Sequence, residues 1–130
     1  MRHRKGYVIL LSVLIVGAIG LSVATTFLLL GVDSSRTGLD FLRGKQARSL
    51  ADACAEEALQ IIWGNNSYAG TSNLVIGSQA CTYTVVNLGG TSREIDASAT
   101  VAPATRKVKV LINQLNPQIN VTSWQEVGSF

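Results

Sequence analysis

Residues 33–63 read DSSRTGLDFLRGKQARSLADACAEEALQIIW, and the spacing of their apolar side chains decides the kind of fold. Leu39, Leu42, Ala47, Leu50, Cys54, Ala58 and Ile61 or Ile62 recur at threes and fours, while Arg43, Arg48, Asp52, Glu56 and Glu57 mostly occupy other positions. That period predicts an amphipathic helix with one face to bury. Gly38 and Gly44 each weaken it by about 1 kcal/mol relative to alanine. The helix-spaced pairs Arg36 with Asp40 and Arg48 with Asp52 return only ~0.2–0.5 kcal/mol apiece. GNNS at 64–67 then favours a C-terminal cap.

On the N-terminal side, residues 7–32 hold no charged side chain. At ~1.5 Å per helical residue this run is long enough to cross a hydrocarbon core of roughly 30 Å. A soluble domain would have to shield this all-round apolar surface with the remaining chain, which is too short to do so comfortably. The absence of proline between 7 and 62 lets the membrane helix continue into the amphipathic one, although Asp33, Ser34 and Ser35 also suit the cap of a new helix. The chain's formal charge of +3 is carried by Arg2, Arg4 and Lys5; residues 7–130 hold equal numbers of basic and acidic side chains. There is therefore no electrostatic footprint for direct nucleic-acid binding. The asymmetry instead places the N-terminus in the cytoplasm and the C-terminal body outside. Cys54 and Cys81 both lie in that exported part, where a pair of cysteines forms a disulfide. Closing this loop is worth roughly 3–4 kcal/mol on the chain-entropy estimate.

Beyond residue 67 the period changes to two. Cys81, Tyr83 and Val85 alternate with Thr82, Thr84 and Val86, NLGGT at 87–91 supplies a hairpin, and Ile95, Ala97, Ala99 and Val101 repeat the pattern. Val108, Val110 and Ile112 form a third alternating set, and a segment holding Ile119, Val121, Trp124 and Val127 is a candidate fourth strand of undetermined register. The expected fold is α+β, a long N-terminal helix packed on an antiparallel sheet of three to four strands, with each covering the other's apolar face. The expected divisions are a basic leader at 1–6, a membrane helix at 7–32, an amphipathic helix at 33–63 and a β-sheet head at 64–130.

Little in the head points to chemistry. The single histidine, His3, lies on the cytoplasmic side, which excludes a histidine-dependent triad outside. Glu56 and Glu57 point about 100° apart on a helix and read as a solvated face. Glu94 and Asp96 share one strand face but lack the further oxygens of a calcium site. No cysteine or histidine cluster suits a metal, and Gly89 and Gly90 do not form a phosphate loop. Trp63, Tyr68, Tyr83 and Trp124 read as core aromatics. NNS at 65–67 and NVT at 120–122 match the glycosylation acceptor pattern. We expect no catalytic residue, no cofactor and no metal.

The layout resembles the type IV pilins and the pseudopilins of type II secretion and DNA-uptake machines. RHRKG followed by YVILLSVLIVGAIG carries the resemblance, a short basic leader ending in Gly6, an aromatic Tyr7, then the long helix. The stretches GVDSSRT and QARSLADACAEEAL resemble small pilin-like proteins of ultrasmall candidate-phyla bacteria. The resemblance implies that prepilin peptidase cuts between Gly6 and Tyr7 and methylates Tyr7. It further implies an inner-membrane assembly platform as partner, and other pilin subunits packed through residues 7–32. One position departs from the family: most major pilins have glutamate as the fifth mature residue, and here it is Leu11. A carboxylate in hydrocarbon is costly unless paired, so Leu11 removes both the cost and the partner. Within the family this is typical of minor subunits, which favours a minor or priming role over a major one. Two other readings share the composition. One is a single-pass membrane protein with a small extracytoplasmic interaction or binding domain. The other is a secreted protein cleaved near Ser22 and Ala24, although its apolar run is longer than signal peptides use.

Overall fold

The computed structural model describes residues 2–130, with side chains described from Lys5 onward. One helix, α1, spans Arg2–Gly64, and five strands follow: β1 (Gly70–Ile76), β2 (Gln79–Gly89), β3 (Ser92–Val101), β4 (Ala104–Gln114) and β5 (Asn120–Val127). The chain divides into two compact units, Met1–Leu39 and Asp40–Phe130. α1 is helical through Asp33, Ser34 and Ser35, so these residues do not cap a new helix.

In the first unit the side chains of residues 7–32 are all exposed, and α1 is long and apolar enough to cross a membrane. The serine and threonine hydroxyls within residues 7–32 are turned back on the helix. Ser12 donates to the Val8 carbonyl at 2.8 Å, Ser22 to Ile19 at 2.8 Å, and Thr25 and Thr26 both to Ser22 at 2.9 Å. Each hydroxyl proton is thereby satisfied without water, as an apolar solvent requires.

The second unit is a helix packed on a five-stranded antiparallel meander in the order β1-β2-β3-β4-β5, an α+β arrangement. The sheet exceeds the expected three to four strands because β1 belongs to it. In β1 only Ser72 and Leu74 are partly covered. A period-two apolar signal reduced to one leucine cannot be distinguished from a loop. β5 is the other edge, and its register against β4 shifts on either side of Ile112, which scrambles the alternation along 119–127. The β2–β3 turn needs its glycines, since Gly89 and Gly90 have φ of 104° and 56°.

The sheet's inner face presents Tyr83, Val85, Ile95, Val108, Val110 and Ile112, and α1 covers it with Ala47, Leu50, Ala51, Cys54, Ala55, Ala58 and Ile62. Four of these seven helix residues are alanine, which leaves room for the backbone to lie close to the sheet. Two expected members of the helical stripe are not part of this core: Leu39 is 47% and Leu42 is 56% exposed. Burial of α1 begins only at Gly44, where the Arg106 guanidinium lies against the helix, 3.0 Å from where a Cβ would stand. Arg106 and Arg48 share the two oxygens of Glu126, at 2.9 and 2.6 Å, and so tie α1 to β4 and β5. The expected pairing of Arg48 with Asp52 is present at 3.8 Å. Asp40, in contrast, pairs with Arg43 at 3.6 Å instead of Arg36, one helical turn being spanned in the other direction.

Candidate functional site

The sequence-derived positions fall into two groups. Gly6, Tyr7 and Leu11 lie on consecutive turns of α1 in the first unit. Tyr7 is 65% and Leu11 45% exposed, and a Cβ at Gly6 would meet nothing within 4 Å. Within the expected leader 1–6, Met1 and the side chains of Arg2, His3 and Arg4 lie outside the described residues. Cys54 and Cys81 belong to the second unit. They form a disulfide with a Cα–Cα distance of 6.1 Å, joining the C-terminal part of α1 to β2, the first interior strand.

The sheet's outer face holds an ionic cluster. Lys109 on β4 stands between two β3 carboxylates, donating to Glu94 at 3.1 Å and lying 3.8 Å from Asp96. The hydrogen bond it donates to Glu94 holds the Lys109 ammonium above its ordinary pKa, with the Asp96 charge adding to it. Burial raises the Asp96 carboxyl, and the like charge of Glu94 raises it further. Asp96 Oδ1 is buried without a hydrogen-bond partner. Sequence spacing put Glu94 and Asp96 on one face. It did not show that β4 supplies a lysine between them, because that depends on the β3–β4 register, in which Asp96 faces Lys109.

A second polar feature was missed on the inner face. Arg93 is only 5% exposed. Its guanidinium donates at 2.9 Å to Asn87 Oδ1 and to the carbonyls of Gly90, Ser92 and Asn66, tying the loop after α1 to the β2–β3 turn. The signal was available: counting back by two from Ile95 places Arg93 on the buried face, where an arginine needs neutral acceptors or a counter-charge. The aromatic residues divide. Tyr83 is 3% exposed and its burial raises the hydroxyl pKa, while Tyr68 and Trp124 pack partly buried against the core. The Trp124 indole donates to Asp52 at 3.0 Å. Trp63 is not a core aromatic, being 63% exposed on the last turn of α1.

Among the described residues, no three His, Cys, Asp or Glu side chains converge as a metal centre would need. What the molecule presents is an apolar helical surface in one unit and a disulfide-clamped helix on a sheet in the other. Comparisons with protein-family models, with curated proteins and with solved structures find no match to the chain.

Proposed function

We propose that this chain is a non-enzymatic subunit of a type IV pilus-like filament, minor or priming in rank, whose leader is removed after Gly6 by prepilin peptidase. The observation that carries this reading is the placement of the Gly6 and Tyr7 junction at the head of an uncharged helical run, on a helix that continues unbroken to Gly64. A cleaved signal peptide has no use for that continuity. A filament subunit does, since the same rod must sit in lipid before assembly and carry its head afterwards. In the membrane the N-terminus is cytoplasmic and the head extracytoplasmic. After withdrawal, residues 7–32 pack against other subunits instead of lipid, and the internally satisfied hydroxyls of Ser12, Ser22, Thr25 and Thr26 suit both surroundings. The assembly platform in the cytoplasmic membrane is the partner that moves the subunit. Leu11, uncharged and partly exposed, supports the minor rank.

Intact-mass measurement of the protein from its native host tests the reading. The expected species is residues 7–130 with one added methyl group. Full-length protein, or a chain beginning near Thr25, in a host with active prepilin peptidase overturns it.

A further inference from the structure

The second unit has two unlike ends, and strand order fixes which turns belong to each. In an antiparallel meander the β1–β2 and β3–β4 turns share one end of the sheet, and the β2–β3 turn lies at the other. The Arg93 clasp brings Asn66, just beyond α1, to the β2–β3 turn. At the opposite end Arg106 lies against Gly44, and Ile76 and Gln79 line a groove with Gln46 and Ser49. The chain therefore enters the second unit at the end that carries the β1–β2 and β3–β4 turns.

That entry end is apolar at its tips. Val75 and Ile76 lead into the first turn and are 68% and 47% exposed. Ala102 and Pro103 form the second turn and are exposed, as are Phe41 and Leu42 on α1 before the sheet begins to cover it. The charges are sorted as well. Among the described residues Lys45 and Lys107 meet no carboxylate within 4.0 Å, each lying instead over an aromatic ring, at 4.7 Å and 5.1 Å. Arg93, the unit's other cation without a carboxylate, is buried in its clasp at the far end. The carboxylates that meet no cation, Glu56 and Glu57, come about three helical turns beyond Gly44.

Exposed apolar tips beside unpaired cations are the composition of a surface that lies at a lipid interface. Only residues 33–39 separate this end from the apolar run 7–32, a tether of at most ~25 Å even when fully extended. We infer that the entry end docks on the outer surface of the membrane that α1 crosses, its two turns among the headgroups and Lys45 and Lys107 on anionic phospholipid. The docking rests on the reading of residues 7–32 as a membrane segment. A free anion would engage the lysines and leave Val75, Ile76 and Pro103 in water, whereas a lipid surface takes both. It also gives a place to Phe41 and Leu42, which the sheet leaves uncovered. The acidic side chains Glu56 and Glu57 then stand away from the anionic surface.

The full chain in lipid nanodiscs tests this, with a lipid carrying a nitroxide on its headgroup as the probe and amide NMR broadening as the readout. In discs of mixed phosphatidylcholine and phosphatidylglycerol, the amides of residues 75–79 and 104–107 are expected to broaden several-fold more than those of residues 89–92 at the far end. High salt, discs of phosphatidylcholine alone, and Lys45→Glu combined with Lys107→Glu are each expected to remove most of that difference. The salt and lipid comparisons use the unaltered chain and so do not depend on the variant folding. Equal broadening at the two ends in the mixed discs overturns the docking. Stronger broadening at the entry end that ignores salt, lipid charge and the substitutions is what the tether alone produces, and overturns it as well. Release of the tips by inorganic phosphate at constant ionic strength assigns the lysines to a free anion and overturns the lipid assignment. Failure of the chain to enter the discs removes the membrane reading and the docking with it. The filament reading is decided separately by intact mass, since docking needs neither cleavage nor assembly.

Discussion

Asp96 is the residue at which the head is least comfortable. Its carboxylate is largely covered, one oxygen has no hydrogen-bond partner, and the nearby lysine is held more closely by Glu94. A carboxyl whose pKa is higher folded than unfolded favours the native state in its protonated form. That contribution is fully present below the unfolded value near 3.8 and is lost as pH rises through the raised folded value. At neutral pH the charged Asp96 therefore lowers stability. Asp96→Asn is expected to raise the urea midpoint of the folded protein at neutral pH, with the gain shrinking as pH falls through the raised folded value and gone below the unfolded value near 3.8. A gain that is independent of pH would show that charge is not the cause. Arg93 shows the same scale from the other side. Period two alone assigns it to the core, but its acceptors come from Asn66, Asn87 and Gly90, residues that only the folded turns bring together.

At the scale of elements, the alanine face of α1 sets how closely helix and sheet approach. Ala47, Ala51, Ala55 and Ala58 are all fully buried, and Ala97 on the sheet is equally covered. Enlarging one of them has nowhere to go. Ala55→Leu is expected to destabilise the head by about 1–3 kcal/mol through overpacking, read as a lowered urea midpoint. The same change at the half-exposed Ala53 should have a much smaller effect. The helix, β2, β3 and β4 were legible because each repeats its period over many residues. β1 was not, since an edge strand with one covered apolar residue leaves no pattern. β5 was only half legible, as its register slips around Ile112. The ends of the stripe were misread for a related reason: a 3.6 period identifies a face but not how far along it a sheet extends, and Leu42 has the right phase with no strand above it.

For the whole molecule, the division at Leu39 and Asp40 separates an apolar segment from a unit with its own core. A fragment of residues 33–130 is accordingly expected to unfold as one cooperative transition in water, without lipid or detergent. Reducing the Cys54 to Cys81 bridge, whose partners are 27 residues apart in sequence, should remove roughly 3–4 kcal/mol from that fragment on the loop-entropy estimate. A fragment that is unfolded with the bridge intact would show that the head depends on the apolar segment. Composition and periodicity by themselves determined the membrane-length run, the amphipathic helix, the central strands and the cysteine pair, because each is a local property of spacing or charge along the chain. Tertiary structure alone decided the fifth strand, the lysine between Glu94 and Asp96, the arginine clasp, and which charges on α1 remain without partners. Those features join residues distant in sequence, and their geometry is set by strand register and helix position, which no local pattern encodes.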